Sequence, residues 1–147
     1  MIHRSWFIED ANKVKELADN TRFSFEKLDV WQKSVDYAQK VLHLIEKIET
    51  NRKHYRLIEN CEASAVSVPS NIAEGCGRYS NKEFVQYLYI ARGSLYESIT
   101  QLVLFARSGW ITNQEFRAMK VQAVEVGKMI SALIKSLKNA SSKNYVL

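Results

Sequence analysis

The sequence predicts an all-α fold: an antiparallel up-down four-helix bundle with a kinked second helix and a short N-terminal helical arm. Three observations support this. Apolar residues recur at steps of three and four along four long stretches. Breaks are sparse, with one proline and five glycines in 147 residues. Ser80-Asn81-Lys82-Glu83 and Thr112-Asn113-Gln114-Glu115 stand where two of the stretches begin. Each reads as a capping box, in which a hydroxyl and a carboxylate satisfy each other's orphan N–H groups. The expected organisation is an arm over residues 1–22, a bundle over 23–139 and a frayed tail over 140–147.

The arm carries Phe7, Ala11, Val14 and Ala18 at helical spacing, with Ser5 as a cap. Trp6, Phe7 and Ile8 form a cluster that is costly to leave in water. The expectation is that it docks on the chain's own bundle; a partner is the other cover.

The first bundle helix is expected over about residues 26–49. Its main stripe is Leu28, Trp31, Val35, Ala38, Leu42 and Ile45, with a second stripe (Val30, Tyr37, Val41, Leu44, Ile48) beside it. The polar segment at 50–54 turns the chain. In the second helix Ile58, Cys61, Ala65, Val68 and Ile72 share a core face. Pro69 lies within that pattern and withholds the bond its N–H would give to the Ala65 carbonyl, which predicts the kink. Ser67, Ser70 and Asn71 stand close enough to take up freed backbone groups, and Gly75 and Gly77 end the helix.

The third helix is expected over about residues 81–108, with Phe84, Leu88, Ala91, Leu95, Leu102 and Phe105 as its stripe and Ser98 at one core position. Gly93, in mid-helix, is expected to admit a neighbouring helix closely. After Gly109, the fourth helix carries Phe116, Met119, Ala123, Val126, Ile130, Leu133 and Leu137. Beside the third helix's stripe runs a flank of Val85, Tyr89, Arg92, Tyr96 and Ile99. Tyrosine and arginine on an apolar flank are what subunit interfaces enrich, so these are the oligomer-interface candidates. The arm lying over the same flank is the alternative.

Net charge is +5, unevenly placed: residues 1–50 sum to −1, 51–111 to +2 and 112–147 to +4. A basic C-terminal third can attract phosphate, or its lysines can complement a helix dipole and keep the surface soluble. The sequence leaves both open. The nucleic-acid-binding candidates are Arg52, Lys53, Arg56, Arg117, Lys128, Lys135 and Lys138.

No catalytic residues, cofactor or metal are expected. None of His3, His43 and His54 follows a glutamate at the Glu-x-x-His spacing of carboxylate-bridged metal bundles. No glycine loop with a following lysine cradles phosphate. Ser67 and Ser70 have no histidine partner nearby in sequence. Glu74 and Glu97 could face each other, but ion pairs with Arg78 or Arg92 are the expected arrangement. No apolar run is long enough to span a bilayer, and the cysteines Cys61 and Cys76 form no framework, so a cytoplasmic chain is expected.

SVPSNIAEG at 67–75, Gly77-Arg78, ARGSLYE at 91–97 and FEKLDVWQK at 25–33 together resemble a known family. It is that of the four-helix-bundle proteins encoded in intervening sequences of bacterial 23S ribosomal RNA genes. The resemblance covers about residues 25–138, leaving arm and tail outside. It marks Pro69, Asn71, Glu74, Gly75, Arg78, Gly93, Ser94 and Glu97 as motif residues with structural roles. It implies a homo-oligomer, often a pentameric ring, and kinship with accessory proteins of diversity-generating retroelements. Those proteins bind nucleic acid and a reverse transcriptase. This chain departs from the pattern at Arg56, Asn60, Glu62 and Ala63, which weakens an anion site on the first half of the second helix. The expected function is a non-enzymatic oligomeric adapter, binding RNA or DNA through a basic surface beside a protein partner. A purely protein-binding scaffold is the alternative.

Overall fold

The computed structural model describes residues 3–143, and the side chains of residues 10–140. The described residues form five α-helices and no strand: α1 (His3–Asn20), α2 (Asp29–Glu46), α3 (Tyr55–Cys76), α4 (Asn81–Arg107) and α5 (Asn113–Lys143). Single 3₁₀ turns precede α2 (Ser24–Lys27) and α3 (Arg52–His54). Each of α2 to α5 packs on the next, and α5 returns to pack on α2. Ser67 meets Ser94 while Ser64 meets Gln101, so α3 and α4 run antiparallel.

Both expected capping boxes form. Glu83 N–H donates to Ser80 Oγ and Glu115 N–H to Thr112 Oγ1, while each carboxylate accepts from the cap residue's own N–H. These exchanges fix where α4 and α5 begin. The first bundle helix starts later than expected, because Phe23 N–H is held by Glu26 Oε2 at 2.6 Å and the Gln32 amide caps the Glu26 carbonyl. That closes a separate 3₁₀ turn ahead of Asp29. At the other end α5 stays helical to Lys143, past the expected fraying point at 140.

The core is one apolar cluster drawn from all four bundle helices. On α3, α4 and α5 the expected stripes are the ones that face it. On α2 the core takes residues from both expected stripes: Ala38 and Ile45 of the main stripe are buried, and most of the second stripe joins them. Val30, Tyr37, Val41 and Leu44 of the second stripe are buried, whereas Leu28, Trp31 and Leu42 of the main stripe pack at its edge. The apolar arc of α2 is too wide for spacing to choose a side. The Tyr37 hydroxyl chooses it, crossing the core to Ser98 Oγ at 2.8 Å, while Trp31 stays at the rim against Phe25.

The Tyr37–Ser98 pair makes an asymmetric prediction. Ser98 also donates to the Leu95 carbonyl, so Tyr37→Phe leaves no polar atom stranded and should cost about 1 kcal/mol or less. Ser98→Ala strands a buried phenol hydroxyl and should cost about 1–3 kcal/mol. Urea denaturation of the two variants measures the difference, and equal losses would refute it.

α3 runs through Pro69 unbroken, with Ser70 Oγ on the Val66 carbonyl and Asn71 Nδ2 on the Ser67 carbonyl. Gly77 terminates the helix. Gly75 does not, because it lies inside α3 and is buried against α4.

The described side chains of α1, residues 10–20, are all exposed, and α1 packs on no other element among the described residues. The expected docking of the arm on its own bundle is therefore absent for those residues. The physical reason is the exit point: the Ser24–Lys27 turn is held against α2 and α3, and the arm leaves from there. Trp6, Phe7 and Ile8, whose cover was part of that expectation, lie outside the described side chains.

Candidate functional site

Helices α4 and α5 together form the most distinctive surface. Gly127 is buried where they cross, and a Cβ there would touch Leu95 Cδ2 at 3.4 Å. Beside this crossing an open groove of about 450 Å³ is floored by Leu95, Ile99 and Ala123 and walled by Tyr96 and Val124. Tyr96 is 55% exposed and Val124 48%. Lys120 and Lys128 stand on its rim.

The interface candidates from sequence divide here. Val85 is a core residue at 5% exposure and offers nothing to a partner, because α4 turns it towards the other helices. Tyr89 and Arg92 are half-buried in the α4–α5 seam. Arg92 stacks over the Tyr89 ring at 5.2 Å and donates to Ser131 Oγ. Ile99 is half-buried against the core, so Tyr96 alone of the five remains well exposed. The flank is spent mainly within the chain, since α5 packs onto it.

The basic candidates also divide. Arg117, Lys128, Lys135 and Lys138 are exposed along α5, over 22 residues or ~31 Å of helix. Lys138 donates to Tyr89 Oη at 2.5 Å, which fixes its end of the row beside α4. Lys120 joins this row; its three-residue step from Arg117 was the signal available in sequence. Arg52, Lys53 and Arg56 are exposed at the bundle end where the His54 ring meets Trp110, 4.8 Å apart. α3 and α5 do not pack on each other, so Arg56 and the α5 row stand on helices that are not neighbours.

Most of the motif residues hold α3 to α4. Ser67 Oγ bonds Ser94 Oγ at 2.9 Å, and Asn71 Nδ2 donates to the same Ser67 oxygen. Arg78 pairs with Glu74 at 2.5 Å and donates to the Tyr87 hydroxyl, with its guanidinium over the Tyr87 ring. The Glu74 hydrogen bond raises the Arg78 pKa. Glu74 therefore takes the arginine partner expected for it, and Glu97 lies about 10 residues further along the α3–α4 register, ~15 Å away. Gly93 is exposed, and a Cβ there would meet nothing within 4 Å. Among the described residues no neighbouring helix uses it, contrary to expectation.

Among the described residues no cluster of histidine, cysteine, aspartate or glutamate could hold a metal ion. No described helix is long and apolar enough to cross a membrane.

Fold and surface thus define a helical-bundle protein whose polar motif residues knit one helix pair and whose neighbouring pair carries a lysine-edged apolar groove. The family of 23S rRNA-intervening sequence proteins matches residues 26–132, and the chain belongs to that family. A crystal structure of a protein of unknown function from the S23 ribosomal protein family of Bacteroides thetaiotaomicron has a similar fold. The TM-score is 0.67 at 24% identity, over 72% of this chain and 98% of that one. No curated protein matches the sequence.

Proposed function

We propose that this chain is a non-enzymatic, self-associating adapter that holds nucleic acid along the α5 basic row beside a protein partner. The observation that carries the reading is the row itself. Arg117, Lys120, Lys128, Lys135 and Lys138 line α5, and the acidic Glu125 is turned away to pair with Lys33 of α2 at 3.2 Å. Cations spaced along ~31 Å of rigid helix suit a phosphate backbone, whose charges repeat along its length. The polar groups that could serve chemistry are taken up in structure: Ser67, Ser94 and Ser98 in hydroxyl pairs, and Glu74 in an ion pair. Free cysteines, one of them buried, suit a reducing cytoplasm. The exposed Tyr96–Val124 groove supports self-association, with a pentamer the size that the family resemblance implies.

The groove also favours a second reading, in which the oligomer is a scaffold for proteins alone and the lysines only keep it in solution. A gel-shift salt series on the sized oligomer separates the two. Bound nucleic acid should weaken with salt by ~0.9 log units per log unit of salt for each phosphate neutralised. Replacing Lys128, Lys135 and Lys138 with glutamine should flatten that slope by roughly 3. Absence of binding at low salt, or a slope unchanged by the substitutions, would refute the nucleic-acid role.

A further inference from the structure

We propose that the α4–α5 groove of each copy receives helix α1 of a neighbouring copy, so that subunits are joined by exchanged arms. This rests on the self-association proposed above and names its contact.

Three observations select the arm as occupant. First, α1 carries Ala11, Val14 and Ala18 at steps of three and four with Leu17 beside them, yet Val14 is 64% and Leu17 57% exposed. An amphipathic helix this open lacks the surface its apolar stripe needs. The groove, running from Lys120 to Ser131 along α5, is ~16 Å long and takes two to three turns of helix. Second, the charges are complementary. Helix α1 holds Glu9, Asp10, Glu16 and Asp19 against Arg4, Lys13 and Lys15, a net −1, whereas the groove rim holds Lys120 and Lys128.

Third, the linker decides whose groove is filled. Residues 21–23 separate α1 from the Ser24–Lys27 turn, and three extended residues reach ~11 Å. That turn packs on α2 and α3 and on neither α4 nor α5. The groove opens on the far side of the bundle, about 20 Å away across two helix layers. A chain cannot lay α1 along its own groove, but it can lay it along a neighbour's. The family match begins at residue 26, so the arm is an addition to the shared bundle.

The test uses two full-length variants, Leu17→Asp in the arm and Val124→Asp in the groove. Both positions are exposed in the single chain, so circular dichroism melts should match the parent. In sedimentation, each variant alone should associate at least tenfold more weakly than the parent, and an equimolar mixture should recover a 1:1 complex. That recovery follows because one copy keeps an intact arm and the other an intact groove. Either variant remaining associated like the parent would overturn arm exchange, as would a mixture that recovers nothing. If the parent itself stays a single chain at every concentration, the proposed self-association falls with it. If the parent associates and the variants associate just as tightly, that association stands and the arm is not its contact.

Discussion

Gly75→Ala should destabilise the protein by about 1 kcal/mol net and lower its melting temperature by roughly 4 °C. A Cβ at Gly75 would stand 2.7 Å from Phe84 Cδ2 and 2.7 Å from Tyr87 Cβ. The phenyl ring can rotate away, but a Cβ atom moves only with its backbone, so α4 itself has to shift. It is pinned on both sides of the contact, by the Ser80–Glu83 capping box and by the Ser67–Ser94 hydroxyl pair. Overpacking of this kind costs ~1–3 kcal/mol, more than the ~1 kcal/mol that alanine gains over glycine inside a helix. The same substitution at Gly93 has the opposite sign. An added methyl there meets nothing, so Gly93→Ala should stabilise the chain by up to ~1 kcal/mol. Thermal and urea unfolding of the two variants tests both signs, and a neutral Gly75→Ala would mean that α4 yields more easily than its anchors imply.

Stability should fall steeply in alkali. Burial pushes the Cys61 thiol up to about 12 from its ordinary 9, with the carboxylates of Glu62 and Glu97 adding to the rise. Burial likewise raises the Tyr37 phenol to about 12 from 10; its hydrogen bond with Ser98 opposes the rise and a charged Cys61 would add to it. Both groups are neutral in the fold and ionise more readily in the unfolded chain. Their neutral-form contribution is complete below pH 9 and is lost as pH rises from 9 towards 12. Each ionising group removes on the order of 1 kcal/mol per pH unit, so the slope roughly doubles above pH 10. Together they remove roughly 5 kcal/mol by pH 12, which matches the lower end of a typical total of 5–15 kcal/mol. In Cys61→Ala the decline should begin nearer pH 10. A urea midpoint that stays flat from pH 9 to 11 would show that neither group is buried as described.

The candidate surface was only partly legible in sequence. Lys128, Lys135 and Lys138 could be placed on one side of a helix by spacing, and the structure shows them exposed along α5. Arg56 could not be separated from them, because sequence does not say which helices are diagonal. The Tyr96–Val124 groove was invisible for the same reason, since each helix supplies one wall. Val85 and Tyr96 looked equivalent as members of one flank, yet α5 packs between those fates, leaving one in the core and one in solvent. Gly75 and Gly93 also read alike as helix glycines, and only the position of α4 tells a forced glycine from a free one.

What the chain determines by itself is local. Stripes at 3.6-residue spacing, the Ser80 and Thr112 caps and the stops at Gly77 and Gly109 specify the number of bundle helices and, on three of the four, the buried face. These follow from hydrogen bonds and apolar periodicity within a few turns. Tertiary structure alone decided which stripe residues of α2 are buried, the use of Gly75 as a contact point and the exposure of residues 10–20 of α1. Those outcomes depend on which side chain meets which across a core, and energies of packing between distant residues leave no periodic trace along the chain.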